Sequence, residues 1–150
     1  MYVIADAREE ILPQIQQIEQ QSFSVPWTET MLRLQLEPDS HLFLTAEENG
    51  SIVGYVGLMF VLDEGYISNV AVRPDFRRRG IADALLTELE RRSRTLLLRF
   101  LTLEVRESNS AAIALYEKHG FRTVGRRKDY YEKPREAALL MTKLLEETDG

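Results

Sequence analysis

Asn69-Val70-Ala71-Val72-Arg73-Pro74-Asp75-Phe76-Arg77-Arg78-Arg79-Gly80-Ile81-Ala82 reads as an apolar strand, a turn and the start of a helix. Arg77, Arg78 and Arg79 stand where a helix N-terminus already carries partial positive charge. They add repulsion there unless an anion is held at that end. Gly80 lets a ligand approach the backbone, and the free N–H groups of a first helical turn can point at phosphate oxygens. The segment therefore reads as a pyrophosphate cradle. The plainer alternative is a solvated basic turn before a helix-starting glycine.

On the N-terminal side of this junction, His41–Glu47, Ile52–Leu62 and Tyr66–Val72 predict three strands in an antiparallel meander. Glu48-Asn49-Gly50-Ser51 supplies a hairpin turn between the first two, because Asn-Gly tolerates positive φ. Asp63-Glu64-Gly65 turns the chain again. Earlier still, Tyr2–Ala5 predicts a short strand, and Asp6 a cap for a helix carrying Ile11, Ile15 and Ile18, with Pro13 at or near its start. Ser24-Val25-Pro26-Trp27 breaks the pattern. Thr28 and Glu29 open a second short helix through Met31, Leu32 and Leu36, stopped by Pro38.

On the C-terminal side, Ile81, Leu85, Leu86 and Leu89 mark one buried helix face. Arg99–Val105 predicts a strand, Asn109–His119 a helix ended by Gly120, and Phe121–Val124 and Ala137–Leu144 two last strands. The last segment also has helical composition; the overall pattern ranks strand ahead. Strands followed by a β-α-β-α-β run predict an α/β or α+β domain with a mixed sheet.

A chain of 150 residues with 44% hydrophobic content has the size and core of one domain, spanning 1–150. The net charge of -5 argues against a general nucleic-acid binder and is compatible with a basic protein or peptide partner. There are no cysteines, which removes disulfides, thiolate metal sites and a cysteine-linked acyl intermediate, and which fits a cytoplasmic location. His41 and His119 lie far apart in no ligand-type spacing, so no metal site is expected. No run approaches a membrane span, and no signal-peptide pattern opens the sequence.

A second constellation surrounds Leu101-Thr102-Leu103-Glu104-Val105-Arg106, where an acid stands near the carboxyl end of an apolar strand. Ligands gather outside such strand ends. Glu104 is a candidate general base; alternatively it pairs with Arg106 or meets solvent. Ser108 and Asn109 begin the next helix and either has the residue type of an N-cap, and Asn109, Ala112 and Tyr116 share one helix face. Tyr116 is either part of an extended ligand site or a core aromatic. His119 reads as a C-terminal helix residue favoured by the dipole.

Together these segments resemble the GNAT superfamily of acetyl-CoA-dependent N-acetyltransferases over nearly the whole chain. The match is most specific at Asn69–Ala82, at Leu103-Glu104-Val105-Arg106 and from Asn109 through Phe121. Within the superfamily the chain is similar to the ribosomal-protein alanine N-acetyltransferase (RimI) type, on Pro26-Trp27, the Leu-Glu-Val-Arg segment and Arg127-Lys128-Asp129-Tyr130-Tyr131. The resemblance implies a mixed, mostly antiparallel sheet of about six to seven strands, about four flanking helices and a splayed central strand pair.

It also implies roles. Arg77, Arg78, Arg79, Gly80, Ile81 and Ala82 match the pyrophosphate loop, and Val70, Ala71 and Val72 the strand whose backbone pairs with the pantetheine arm. Asn109 matches a cofactor contact, Glu104 the general base and Tyr116 the general acid. Asp83, just past the loop, departs from this pattern as a negative charge near a dianion and is expected to face solvent. Ala137 replaces an acidic residue that often follows the glutamate matched by Glu136, a change that bears on peptide recognition. The acceptor groove implied would be walled by Ser24–Trp27 with Trp27 as a packing anchor, by Asp63 and Glu64, and by Tyr130 and Tyr131. In a regular strand at most one of those two tyrosines faces the groove. The implied partner is a protein N-terminus or basic peptide. The alternatives are a small-molecule amine or lysine acceptor, and a catalytically silent CoA-binding module.

Overall fold

The computed structural model describes residues 2–145, and in it strands and helices follow one another as the sequence pattern predicts. The order is β1 (Val3–Asp6), α1 (Leu12–Ser22), α2 (Glu29–Leu34), β2 (His41–Glu48), β3 (Ser51–Val61), β4 (Glu64–Val72), α3 (Ile81–Thr95), β5 (Phe100–Arg106), α4 (Ser110–Lys118), β6 (Arg122–Tyr131) and β7 (Glu136–Leu144). Single 3₁₀ turns at Glu9–Ile11 and Pro74–Phe76 lead into α1 and out of β4. The strands form one mixed sheet in the order β1-β2-β3-β4-β5-β7-β6. Every neighbouring pair is antiparallel except β4 and β5.

That parallel pair positions the site. β4 and β5 are in register only at Glu64–Phe100, Gly65–Leu101 and Tyr66–Thr102. Beyond these positions both strands continue, β4 to Val72 and β5 to Arg106, but no longer pair with each other. A Cβ on Gly65, inside the paired stretch, would stand 2.7 Å from Leu101 Cδ2, so a side chain there would displace the buried leucines beside it. The backbone N–H of Arg73 donates to Val53 on the β3 side. Alternation along the strand then turns the polar groups of Val70 and Val72 the other way, into the gap.

Alternation also divides the core. Leu44, Val56, Leu58, Val72, Leu101 and Leu103 pack beneath Ile81, Leu85, Leu86 and Leu89 of α3, joined by Tyr116 of α4. Phe43, Tyr55 and Ala71 face the other way, under Leu12, Ile15 and Ile18 of α1 and Leu32 of α2. Ser68 is an extra residue in β4, because Gly57 pairs with Asn69 while Leu58 pairs with Ile67. This bulge reverses the facing of β4 between Ile67 and Val70, just where the strand leaves β5.

Three expectations are corrected. Asp6 does not cap α1: it ends β1 and pairs with Arg92 at 2.8 Å, while α1 starts at Leu12 with Pro13 in its first turn and no side-chain cap. The strand expected at Phe121–Val124 is β6, which runs on to Tyr131. β6 is the outermost strand and exposed along most of its length, so hydrophobic alternation cannot reveal it. Asp83 does not simply face solvent: it accepts from His119 Nε2 at 2.8 Å and Lys118 Nζ at 3.1 Å. Hydrogen bonding to His119, and then to Lys118, holds its carboxyl below the usual range. The same His119, at the C-cap of α4, reaches Glu90 at 3.0 Å and so clamps α4 to α3.

Candidate active site

The cradle is built from backbone. Arg78 (φ 66°) and Gly80 (φ 77°) are both left-handed, and Gly80 is the N-cap of α3 without a side-chain hydrogen bond. Ala84 is the first residue of the helix to donate, to Gly80 O at 3.0 Å. Among the described residues, no protein acceptor meets the N–H groups of Arg78 through Asp83. A Cβ on Gly80 would meet nothing within 4 Å, so the space beside this N-cap residue is open. Uncapped N–H groups together with the positive end of a 15-residue helix suit a diphosphate.

Two of the arginines are used locally. Arg77 Nε donates to Val72 O at 3.1 Å, and the Arg79 guanidinium lies 4.8 Å from the Phe76 ring centroid. Ile81 is 2% exposed, so its side chain anchors the helix and its backbone alone is on offer. Ala82 packs at the edge of the same core.

Glu104 stands on the face of β5 toward α1, between the buried Leu103 and Val105, with its own side chain exposed. It does not pair with Arg106. That guanidinium donates to Pro134 O at 2.9 Å, Glu132 O at 3.0 Å and Glu136 Oε1 at 3.2 Å, and lies 4.5 Å from the Tyr131 ring centroid. Glu136 in turn accepts the Ser108 N–H, the larger reason that its carboxyl lies below the ordinary value, with Arg106 second.

Tyr130 and Tyr131 share one side. The register of β6 slips between Arg127 and Tyr131, with Asp129 at φ 56°, and the two rings meet edge-to-face at 4.9 Å. The strand is thus irregular where a regular one would have separated them. Burial and then Glu104 raise the Tyr130 hydroxyl above its ordinary value. Burial, Tyr130 and Glu104 push Tyr131 up to about 12.

Tyr116 comes from the opposite face. It is 8% exposed in the α3–α4 core, edge-on to Phe121 at 5.7 Å, and burial followed by nearby Tyr131 raises its pKa. It therefore stays protonated through the neutral range and is a hydrogen-bond donor. Among the described residues its hydroxyl has no hydrogen-bond partner. Asn109 is the N-cap of α4, its Oδ1 accepting from Ala112 at 3.1 Å, which leaves its Nδ2 for a ligand.

The structure thus gathers Glu104, Tyr116, Tyr130 and Tyr131 at the open end of the β4–β5 gap, with the cradle at the end of the open β4 edge. Asp63 and Glu64 are elsewhere, at the closed end. Asp63 pairs with Arg99 at 2.8 Å and Glu64 accepts from Tyr66 at 2.6 Å. Trp27 sits at the edge of the α1 core. Two residues without a sequence-assigned role belong to the surroundings of the site. Arg106 also reaches Ser24 at 3.4 Å, joining both rims, and Glu19 is buried behind the Trp27 loop. Glu19 lies four residues after Ile15, on the buried helix face, and that spacing is the signal that would have found it.

The chain is 38% identical over 136 residues to the ribosomal protein bS18-alanine N-acetyltransferase of Escherichia coli K12, covering 87% of this chain and 88% of that protein. It is 41% identical over 128 residues to the enzyme of the same name from Haemophilus influenzae, covering 83% and 86%. The crystal structure of the ribosomal-protein-S18-alanine N-acetyltransferase from Escherichia coli superposes with a TM-score of 0.92 at 34% identity, over 99% of this chain and 97% of that one. The sequence profile of the acetyltransferase (GNAT) family matches residues 12–121, across the splayed strands, the uncapped helix and α4, and the chain belongs to that family.

Proposed function

We propose that this protein transfers an acetyl group from acetyl-CoA directly to the N-terminal α-amine of a protein, a ribosomal protein beginning with alanine. The observation that carries this reading is the β4–β5 gap, with an acid on one face, a buried phenol on the other and free N–H donors at its end. The relatives named for N-terminal alanine acetylation supply the acceptor class.

The residues present fit acetyl-CoA. The N–H groups from Arg78 to Asp83 would hold the diphosphate, the inward-turned polar groups of Val70 and Val72 would pair with the pantetheine arm, and Asn109 Nδ2 remains free to donate. The thioester supplies an activated acyl carbon. A backbone N–H of β4 that stabilises the developing oxyanion is worth a few kcal/mol, at roughly 10²–10³ in rate per donor.

Glu104 takes the proton from the acceptor ammonium. An α-amine titrates near 7.7–8.0 and lysine near 10.4, a difference of about 3.4 kcal/mol in the cost of the neutral nucleophile. An exposed carboxylate is thus better matched to a protein N-terminus. Attack by the neutral amine forms the N–C bond, collapse of the tetrahedral adduct breaks the C–S bond, the excess proton on the nitrogen passes to solvent, and the departing thiolate is met by the Tyr116 hydroxyl. Burial has made that phenol a weaker acid, so its part is to donate a hydrogen bond to the growing charge. Trp27, Tyr130 and Tyr131 line the acceptor side.

The test is incubation with acetyl-CoA and three acceptors: a peptide starting with alanine, the same peptide blocked at its α-amine but carrying a free lysine, and spermidine. Mass spectrometry should find one acetyl group on the first peptide. Modification confined to the blocked peptide or to spermidine overturns the α-amine reading, and binding of CoA without transfer to any acceptor overturns catalysis.

A further inference from the structure

Among the described residues Glu19 is the one charged side chain that is completely shut from solvent, at 0% exposure. No lysine, arginine or histidine pairs with it there; its oxygens accept from neutral donors instead. These are the Tyr55 hydroxyl, Asn69 Nδ2 at 2.7 Å and the backbone N–H of Trp27 at 2.8 Å. A buried carboxylate without a cation is a poor way to hold a core, because an apolar side chain of similar size does so without desolvating a charge. Packing alone therefore does not account for it.

The donors have one thing in common. Tyr55 stands on β3, Asn69 stands on β4 immediately before Val70 and after the Ser68 bulge, and Trp27 ends the loop from α1 to α2. That loop is already tied at Ser24 to Arg106, and through it to the Tyr131 rim. Glu19 makes the complementary tie, from the other end of the loop to the strand whose far edge is open.

We infer that Glu19 is a positioning residue for acetyl transfer: it fastens the Ser24–Trp27 loop to β4, so that the acceptor rim and the donor strand keep one fixed separation. An acceptor-only carboxylate is required. The Trp27 N–H and the Asn69 amide both need an oxygen, and glutamine offers one oxygen and a competing NH₂. The inference rests on the acceptor lying against this loop, as in the function proposed above.

Trp27 is the single tryptophan of the chain, so its fluorescence reports the loop without any substrate. In Glu19→Gln, iodide quenching of Trp27 should about double, and the KM for a peptide with N-terminal alanine should rise about tenfold, while the KM for acetyl-CoA moves less than about twofold. Quenching at the wild-type level overturns the inference whatever the kinetics, and so does an equal rise in both KM values. Should the wild-type protein not acetylate the peptide, the functional reading fails, and quenching still decides this one. If Glu19→Gln does not fold, amide exchange of the wild-type protein decides: after correction for intrinsic rates, the Trp27 amide should exchange at least about tenfold more slowly than that of exposed Val25. Equal rates overturn the tie.

Discussion

Glu104 and Tyr116 reach the open end of the β4–β5 gap from opposite faces of the sheet, and their environments differ as their proposed tasks do. Tyr116 is buried and its pKa raised, so it is a donor through the neutral range. Tyr116→Phe should lower kcat by roughly a hundredfold and leave the KM for acetyl-CoA nearly unchanged, as read by steady-state kinetics. A turnover equal to wild type removes the hydroxyl from the mechanism. Glu104 is exposed and next to Tyr130. Glu104→Gln should slow transfer most at low pH, where a base is needed to reach the neutral amine, and an unchanged pH–rate profile removes it as the base. The places of Glu104 and Tyr116 at a strand end and on a helix face were legible in the sequence, while their proposed roles came from the family resemblance and not from those places. The common side of Tyr130 and Tyr131 was not, because a left-handed Asp129 and a slipped register leave no trace in apolar spacing. Nor was the engagement of Arg106 with the β6–β7 hairpin, which depends on contacts 26 to 30 residues away.

At the level of elements, the anion site proposed at the junction between β4 and α3 rests on backbone N–H groups rather than on its arginines. Gly80→Ala isolates this. The new methyl clashes with nothing, so the protein alone should lose about 1–2 kcal/mol from the left-handed φ, seen as a lower melting temperature. Acetyl-CoA should in addition stabilise the variant less than it stabilises wild type. An equal ligand-induced shift in the two proteins would place the diphosphate elsewhere. Strong hydrophobic period made α3, β3 and β5 readable. β6 was readable only at its start, since an exposed edge strand places few constraints on side chains. The α3–α4 clamp through His119 was hidden for a different reason: Asp83 and Glu90 come from another helix, and neither their spacing nor His119 itself signals a pair.

For the whole molecule, carboxylates dominate the response to acid. Asp83, Glu88, Glu107 and Glu136 are all held below their ordinary values by hydrogen-bonded partners, Glu88 by Arg91 and Arg92 down to about 2. A depressed folded-state value stabilises the protein above the unfolded value and is lost as pH falls. Urea midpoints should therefore be flat from pH 7 to 5 and decline below the ordinary glutamate value of 4.5. A midpoint rising on acidification would contradict the paired geometry. The β2–β3–β4 meander and a mixed sheet followed from the sequence pattern, whereas the place of β7 between β5 and β6 and the parallel β4–β5 contact are seen only in the fold. The extent of that contact is a three-dimensional result. Each other junction in the sheet keeps at least four paired positions, and this one has three. The two half-sheets meet there over the shortest paired stretch in the sheet. On the proposed function, acetyl-CoA laced along Val70 and Val72 would act as mortar in that joint, so that occupancy and stiffness would rise and fall together.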